Sequence, residues 1–436
     1  MKFLKNILGL ERYIAVREKY RKVKKKVGVR GVEENFFKVK KSALGTSGLS
    51  MSDARAGVGK EKEEGTEAAS PAKAGSAHSI NILGYINAEC GIGQIARGMI
   101  KAFKKAGIPV SVYNFDIGWH RTAEQIDVPF SNDLTYSINL CCFNAEETPQ
   151  RLSQIGTEKL KGKYNIGLWA WELEEFPPEW KEAFEYVHEI WTISNFAKKS
   201  IQKATDLKVT CVPLVVEPKV DGKYDRTYFD IPKETYTFLF SFDGFSFADR
   251  KNPFSTAKAY ADAFGFSQST LLIVKTQNLD KAHEKKLYKI LKGTNYRIIN
   301  RYFSQDEFTG LLNSIDCYVS LHRAEGFGYG LAEAMYLKKM VIATNYSGNL
   351  DFMDESNSFL VPYKLVRIEK SAGPYQKGNH WADADMTCAT EMMKKVFEDR
   401  DQNYSREIKV RAHEQIAKLY SAEHVGEIVK NLLSHL

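Results

Sequence analysis

The sequence predicts an α/β protein with two parallel-sheet domains in series. Apolar, strand-like runs alternate with amphipathic helical runs, first from Ile80 to Leu214 and again from Tyr236 onward. Short connections between such units are typical of parallel sheets covered by helices on both faces. Three prolines between residues 213 and 232 interrupt the alternation, which predicts a domain boundary there. A chain of 436 residues that is 43% hydrophobic is large enough for two or three cores.

Five parts follow one another in the predicted organisation. They are a basic amphipathic segment (1–41), a flexible linker (42–79), a first α/β domain (80–217), a second α/β domain (218–410) and a C-terminal helix that crosses back to the first domain (411–436). The linker contains no aromatic residue and is rich in Ser, Ala, Gly, Lys and Glu, a composition that cannot bury a core.

The basic charge of the chain is concentrated at its N-terminus. The net charge is +8, and residues 1–41 hold 14 Lys and Arg against 4 Glu, a balance of +10, so the remainder carries −2. We therefore expect no nucleic-acid partner for the two domains. Apolar residues recur at helical spacing from Phe3 to Ile14, ahead of a basic run at 21–26. This pattern favours contact with an anionic membrane surface, and a helix that packs on a protein partner is the alternative.

The first domain alternates strands and helices. Its predicted strands are Ile80–Ile86, Val110–Phe115, Ser137–Phe143, Tyr164–Trp171, Glu189–Ile193 and Val209–Leu214. Its predicted helices are Gly93–Ala106, Pro149–Leu160, Pro178–Val187 and one that begins at Phe196. Gly107 and Pro178 support these boundaries, because glycine commonly follows a helix and proline commonly opens one.

The second domain repeats the alternation. Its predicted strands are Tyr236–Phe242, Leu271–Thr276, Arg297–Tyr302, Ile315–Leu321 and Met340–Thr344. Its predicted helices are Pro253–Phe264, Lys281–Leu291, Gln305–Asn313, Ala384–Glu398 and one from Ser405 to the end. Two such series indicate two Rossmann-like domains, with ligands bound at the carboxyl ends of the strands and between the domains.

Two glutamates bracket a glycine-rich turn in the segment Glu325–Glu333, whose sequence is EGFGYGLAE. The turn lies between a predicted strand and a predicted helix, so free backbone N–H groups and the helix dipole favour an anion there. Like charges repel, so the carboxylates must face neutral, hydroxyl-rich groups instead. No structural need for so many glycines is evident from the sequence. Phosphate beside hydroxyls describes a nucleotide sugar.

This segment resembles the E-x7-E signature of retaining glycosyltransferases of family 4, which have the GT-B architecture. The segment Ala343–Asp351 is similar to the loop that follows this signature, and the resemblance covers residues 80–430. The resemblance implies that Glu325 contacts the donor sugar and that Glu333 binds the ribose hydroxyls. It further implies that the diphosphate lies on the N–H groups around three residues of the turn, namely Gly328, Tyr329 and Gly330.

A basic turn, Asp249–Pro253, follows the first strand of the second domain and resembles the diphosphate clamp of this family. Lys251 is the first candidate for the catalytic cation and Arg250 the second, since a departing diphosphate needs positive charge. The family places an Arg six residues before the Lys, and Phe245 stands there in this sequence. A solvated basic turn is the alternative interpretation.

A glycine-rich loop, Asn87–Ala96, follows the first strand of the first domain. In family 4 this loop approaches the donor phosphates and the acceptor, so Gly91 and Gly93 are candidate donor-binding residues. Gly91, Gly93 and Ala96 also fit a dinucleotide-binding pattern, which would indicate an NAD-dependent oxidoreductase. Tight helix–strand packing is the third interpretation.

Trp171 and Glu172 stand at a strand end where many family 4 enzymes have a His. Aromatic faces stack on sugars and a carboxylate binds hydroxyls, so both are candidates for contact with the acceptor or the sugar. A core position for the tryptophan is the alternative. His322 is a candidate substrate contact near the motif, whereas Asp385 is more readily explained as a helix cap than as a metal ligand.

The sequence therefore predicts a retaining, metal-independent hexosyltransferase without a cofactor. Its donor would be a nucleotide-diphosphate sugar, with mannose the candidate hexose, and its acceptor a polysaccharide or a lipid-linked oligosaccharide. The alternatives are a non-catalytic nucleotide-sugar-binding partner in polysaccharide assembly, a sugar-nucleotide epimerase and the oxidoreductase. Six scattered cysteines without CxxC spacing and the absence of a secretory leader predict a cytoplasmic location, at the inner face of the membrane.

Overall fold

A computed structural model describes residues 79–116 and 126–436, which belong to one compact unit of the chain. They form two six-stranded sheets in which every strand pair is parallel, with helices around them. The predicted α/β class is thus confirmed. The predicted N-terminal helix, and the linker up to residue 78, lie outside the described residues. Within the described part, no helix is long and apolar enough to cross a membrane.

The first sheet belongs to the first domain. Its strands are β1 (Ile80–Gly84), β2 (Val110–Asn114), β3 (Ile138–Cys142), β4 (Tyr164–Trp169), β5 (Glu189–Thr192) and β6 (Val209–Cys211). The α-helices are α1 (Gly91–Lys105), α2 (Thr148–Ile155), α3 (Thr157–Leu160) and α4 (Asn195–Gln202). The strand order is β2-β1-β3-β4-β5-β6, so the chain reverses its lateral direction between β1 and β3.

The second sheet has the doubly wound order. Its strands are β7 (Tyr236–Asp243), β8 (Thr270–Gln277), β9 (Tyr296–Asn300), β10 (Cys317–Ser320), β11 (Met340–Thr344) and β12 (Phe359–Val361). Its helices are α5 (Ala248–Lys251), α6 (Pro253–Phe264), α7 (Lys281–Leu291), α8 (Gln305–Ser314) and α9 (Tyr329–Tyr336). The order β12-β11-β10-β7-β8-β9 puts the switch point between β7 and β10.

A hairpin and three helices complete the chain. The hairpin consists of β13 (Tyr363–Arg367) and β14 (His380–Ala384), and the helices are α10 (Met386–Glu398), α11 (Asn403–Leu419) and α12 (Ala422–Leu433). Helix α12 packs on α1 of the first domain. A Cβ added at Gly426 would lie 2.7 Å from the carbonyl oxygen of Ala102, so only glycine permits this approach.

The central strands are largely apolar because both faces of each sheet are covered. Asn81 of β1 and Asn139 of β3 are exceptions, and the Asn81 amide donates to Oδ1 of Asn139 at 2.7 Å. β1, β3 and β11 are buried at every residue. Helices begin at side-chain caps: the carboxylate of Asp385 accepts a hydrogen bond from the N–H of Cys388, 3.0 Å away, at the start of α10. The interpretation of Asp385 as a cap is confirmed.

The structure differs from the local predictions in four places. The predicted helix Pro149–Leu160 is divided into α2 and α3, and the predicted helix from Ser405 to the end is divided into α11 and α12. The segment Pro178–Tyr186 is a 3₁₀ helix rather than an α-helix, and Ala183 is its one buried residue. Trp180, Ala183 and Phe184 pack in one apolar cluster, so apolar spacing alone does not distinguish the two kinds of helix. The hairpin β13–β14 was not predicted, because β13 is exposed or half-buried at all five residues and has no apolar alternation.

Candidate active site

The predicted site residues of the second domain lie at the carboxyl ends of β7 and β10. These strands are hydrogen-bonded neighbours that lead to opposite halves of the sheet, which creates a crevice for ligands. β7 leads to α5, which carries Arg250 and Lys251, and β10 leads to the turn that contains Glu325. Asn252 joins the two loops, because its side-chain amide donates to the carbonyl oxygen of Leu321 at 2.8 Å.

Glu325 forms a buried ion cluster with Arg250 and Lys251. The Lys251 Nζ atom is 2.5 Å from Oε1 of Glu325, and the Arg250 Nη1 atom is 3.2 Å from Oε2. Arg250 also donates to the carbonyl oxygen of Ala324 at 2.7 Å. Only 10% of the Glu325 side chain and 6% of the Arg250 side chain is exposed. The structure therefore joins residues from two separate sequence motifs in one charged group.

The charges of this cluster hold Glu325 in its ionised form. Burial alone would raise its pKa, but the cations of Lys251 and Arg250 outweigh burial and hold the pKa at about 2. Burial lowers the pKa of Lys251, and the charge of Glu325 opposes that shift. Each carboxylate oxygen has a second lone pair, so Glu325 can still accept hydrogen bonds from hydroxyl groups.

The glycine-rich turn has steric reasons for its glycines, contrary to the expectation from the sequence. Gly328 has φ +96°, in the left-handed region that favours glycine. A Cβ at Gly330 would lie 2.8 Å from the Tyr318 hydroxyl, and one at Gly326 would lie 3.3 Å from the Trp171 carbonyl oxygen. The argument that these glycines lack a structural need is therefore wrong. The geometry of the turn still leads directly into the N-terminus of α9, which begins at Tyr329.

Glu333 lies on α9 and is 5% exposed. Its Oε1 atom accepts hydrogen bonds from Gln305, 3.4 Å away, and from Gln94 of the first domain, 3.1 Å away. Burial raises the pKa of Glu333 to about 7, against the smaller lowering effect of the two amides. At neutral pH the carboxyl group is therefore partly protonated and partly ionised. Tyr329, the other predicted residue on this helix, donates through its hydroxyl to the carbonyl oxygen of Val215.

The glycine-rich loop of the first domain leads into α1. A Cβ at Gly93 would lie 2.5 Å from the Ala88 carbonyl oxygen and 2.6 Å from that of Tyr85, so this position requires glycine for packing. Gly91 is exposed, and a Cβ there would meet nothing within 4 Å. The two glycines thus differ: Gly93 serves the local fold, and Gly91 leaves the N-terminus of α1 open. Gln94, the residue after Gly93, donates to Glu333.

Trp171 and Glu172 occupy different environments. Trp171 is 1% exposed, its ring stacks on Tyr375 at 5.8 Å, and its indole N–H donates to the Glu175 carbonyl oxygen. Protein side chains cover the ring in this structure, and contact of Trp171 with a sugar stays a prediction. Glu172 is partly exposed and its Oε1 atom lies 4.0 Å from Arg250 Nη2, so it extends the ion cluster into the first domain.

Phe245, which stands in place of an expected Arg, and the candidate His322 have opposite environments. Phe245, at the position of the expected Arg, is 58% exposed. His322 is fully buried, and its ring contacts Ser320, the Tyr346 carbonyl oxygen and Asn349, each at 3.1 Å. Burial lowers the pKa of His322. Its partners satisfy both ring nitrogens, so it is a neutral core histidine.

Sequence reasoning missed two residues of this site. Gln94 stands within the glycine-rich loop, and that proximity is the signal that could have found it. Tyr375 lies in a segment without a predicted strand or helix, yet it is 3% exposed and its ring centre is 5.7 Å from the Arg250 guanidinium carbon. No pattern in the sequence indicates this contact.

Comparison with known proteins agrees with the fold and the motif. Residues 244–367 match the family model described as glycosyl transferases group 1. No curated protein is detectably similar to the chain in sequence. The matched residues include the basic turn, the ion cluster and the segment from Glu325 to Glu333.

Solved structures with similar folds cover most of the chain. HepE of Anabaena, in complex with UDP and glucose, has a TM-score of 0.59 and 10% identity, over 82% of this chain and 100% of that chain. Sucrose-phosphate synthase of Thermosynechococcus elongatus has a TM-score of 0.59 and 12% identity, over 82% and 99%. A glycosyltransferase of Rickettsia africae has a TM-score of 0.57 and 13% identity, over 82% and 98%. The predicted GT-B architecture is confirmed.

Proposed function

The chain contains a glycosyl transferases group 1 domain over residues 244–367, and from this premise we propose that it moves a hexose from a nucleotide-diphosphate sugar to a glycan, with retention of configuration. The observation that carries the proposal is the buried cluster of Arg250, Lys251 and Glu325 at the switch point of the second sheet. Within the second domain, the two cations and the ionised Glu325 leave one positive charge beside a helix N-terminus, and Glu172 of the first domain lies 4.0 Å from Arg250. That arrangement suits a departing diphosphate.

Lys251 and Arg250 stabilise the leaving group in this proposal. As the bond between the sugar C1 atom and the diphosphate oxygen breaks, negative charge develops on the diphosphate, and the cations are already in place to receive it. The N–H groups at Gly328, Tyr329 and Gly330 add hydrogen-bond donors. The protein thereby supplies the positive charge itself, and we expect full activity in EDTA.

Glu325 binds the donor sugar through hydroxyl groups. It is ionised, and each of its oxygens keeps a lone pair beyond its contact with a cation. Hydrogen bonds from hydroxyl groups to an ionised carboxylate are short and directional. Because both oxygens are held by Lys251 and Arg250, Glu325 is better suited to orient the sugar than to attack it as a nucleophile.

Retention then follows from front-face attack. The acceptor hydroxyl approaches C1 on the face that the diphosphate leaves, a new C1–O bond forms as the old one breaks, and the hydroxyl proton passes to the departing diphosphate. No second carboxylate is required on the opposite face. Glu333 binds the ribose hydroxyls in this arrangement, at the end of the site that Gln94 closes.

The acceptor is proposed to be a polysaccharide or a lipid-linked oligosaccharide bound by the first domain. Gly91 leaves the start of α1 open for a ligand, and Glu172 is the carboxylate nearest to the ion cluster on that side. The basic residues of the segment 1–41 would hold the enzyme at the cytoplasmic face of a membrane, close to a lipid-linked acceptor.

A thermal-shift screen of nucleotide sugars, followed by turnover assays, tests the proposal. HepE is complexed with UDP and glucose, so UDP sugars belong in the screen beside GDP-mannose. Glu325→Gln should lose about a hundredfold in turnover, whereas Glu355→Gln, an exposed carboxylate, should match the wild type. Near-normal turnover by Glu325→Gln would reject the assignment.

The same screen distinguishes the proposed transferase from a second candidate, a non-catalytic binding protein. Phe245 replaces the Arg that the resemblance implies, and this difference favours a protein that binds a nucleotide sugar without turning it over. Donor binding with neither transfer nor hydrolysis, across all donors that bind, would establish that alternative.

A further inference from the structure

The connection between β13 and β14 reaches the ion cluster from the second domain. We call residues 368–379 the strap. Its base is fixed by Ile368, which is 1% exposed and exchanges backbone hydrogen bonds with Gly378 and Asn379. The residues that match the family model end at Arg367, so the strap lies beyond them.

The tip of the strap is a tight turn that presents one aromatic ring. Ala372 and Tyr375 exchange two backbone hydrogen bonds, of 3.0 and 3.1 Å, around Gly373 and Pro374. Gly373 has φ +59°, as glycine commonly has at the first central position of such a turn. A Cβ at Gly373 would lie 1.9 Å from the Phe247 ring, so the turn packs directly on the loop that precedes α5.

Tyr375 is held between residues of both domains. Its ring stacks on Trp171 of the first domain at 5.8 Å with an interplanar angle of 27°. On the second domain, the Arg250 guanidinium carbon lies 5.7 Å from the ring centre and Phe247 meets the ring edge-on at 5.5 Å. Burial raises the pKa of Tyr375, and the charge of Glu172 from the first domain raises it further. These contacts can exist together only when the two domains are in contact.

Arg250 depends on its neighbours for its orientation. Its Nε atom is buried and has no hydrogen-bond partner among the described residues. An unpaired buried donor costs free energy, so other contacts of the side chain must offset that cost. Ala324 and Glu325 hold the guanidinium from its own domain. On its other side the guanidinium meets Tyr375, from the strap of the same domain, and Glu172, from the first domain.

We propose that Tyr375 is a positioning residue for the donor diphosphate: the strap fixes the Arg250 guanidinium against Trp171 and Glu172, so that Arg250 is correctly placed only when the two domains are in contact. The inference rests on the proposed function, because it concerns the same cationic cluster. It adds that donor binding and contact between the domains are coupled through one aromatic ring.

Steady-state kinetics of the full chain test this role. Tyr375→Leu removes the aromatic face, and the donor KM should rise about tenfold, the size expected for a desolvated cation–π contact, while the acceptor KM stays unchanged. Tyr375→Phe keeps the ring and should stay within about threefold of the wild type. Lys370→Ala, an exposed position on the same strap, is the matched control and should show wild-type kinetics.

A double-mutant cycle separates positioning from general stability. If Tyr375 acts through Arg250, the variant Tyr375→Leu/Arg250→Ala should be no worse in donor KM than Arg250→Ala alone. The inference would be overturned if the increases in donor KM of the two single variants multiplied in the double variant. A wild-type donor KM in Tyr375→Leu would also overturn it. Should Tyr375→Leu fail to fold by circular dichroism, Tyr375→Met and the Tyr375→Phe comparison decide in the same way. Failure of the wild type to turn over any donor would instead count against the proposed function.

Discussion

Donor binding should depend on pH through Glu333. Burial raises the pKa of this carboxyl to about 7, so at neutral pH a substantial fraction is protonated. Ribose hydroxyls donate hydrogen bonds to a carboxylate, and they should therefore bind the ionised form more tightly. The perturbation is simply a change of pH from 8 to 6, with Glu333→Gln as the variant that cannot titrate.

The magnitude follows from the fraction of ionised Glu333. With a pKa of about 7, roughly nine-tenths is ionised at pH 8 and roughly one-tenth at pH 6. If only the ionised form binds, the apparent Kd rises in proportion to the lost fraction, by about tenfold or about 1.4 kcal/mol. Affinity should be constant well above the pKa and should fall as pH drops through it.

Isothermal titration with a nucleotide sugar measures both the Kd and the proton balance. The diphosphate of such a donor is esterified at both ends and does not titrate between pH 6 and 8. The donor itself therefore does not make the Kd depend on pH. Near pH 7 the wild type should release about half a proton per bound donor. The measured binding enthalpy should therefore change with the ionisation enthalpy of the buffer. The role of Glu333 would be refuted if the wild-type Kd were equal at pH 6 and pH 8. It would also be refuted if the Kd of Glu333→Gln changed with pH as steeply as that of the wild type.

Lys251→Ala should lower turnover about a hundredfold, on the order of 3 kcal/mol, because the leaving diphosphate loses a cation; Lys258→Ala, exposed on α6, should keep the wild-type rate in the same initial-rate assay. Gly93→Ala should lower the melting temperature, since its new methyl carbon would lie 2.5 and 2.6 Å from two carbonyl oxygens. Gly91→Ala should leave the melting temperature unchanged and raise the donor KM. Removal of residues 1–41 should abolish binding to anionic liposomes and spare activity on a soluble acceptor; equal liposome binding by the truncated protein would reject the membrane role.

The parallel sheets could be predicted because their strands are buried on both faces. Such strands are largely apolar, and β1, β3 and β11 are buried at every residue. The order of the strands then places the loop after β7 beside the loop after β10. The family resemblance assigned Glu325 and Lys251 to one site before any distance was known, and the strand order explains why they meet although 74 positions separate them.

The strap could not be predicted because its structure depends on tertiary contacts. β13 carries the residues YKLVR, of which none is buried, and neither a period of two nor a helical period indicates an element there. Tyr375 is fixed by Trp171 from the other domain and by Arg250 from a distant loop. A local pattern holds no information about such partners.

The orientation of Arg250 shows the same limit at a single residue. On a regular helix, consecutive side chains point about 100° apart, so Arg250 and Lys251 would not be expected to face one carboxylate. The one-turn helix α5 is instead bounded by Phe247 at φ +59° and Asn252 at φ +54°, two left-handed residues that are not glycine. Glu325 then uses one oxygen for each cation. Such backbone conformations are unfavourable for non-glycine residues and persist where the surroundings hold them. The strain therefore supports a functional reason for placing both cations together, and it explains how Arg250 can supply the second positive charge although Phe245 occupies the position expected for it.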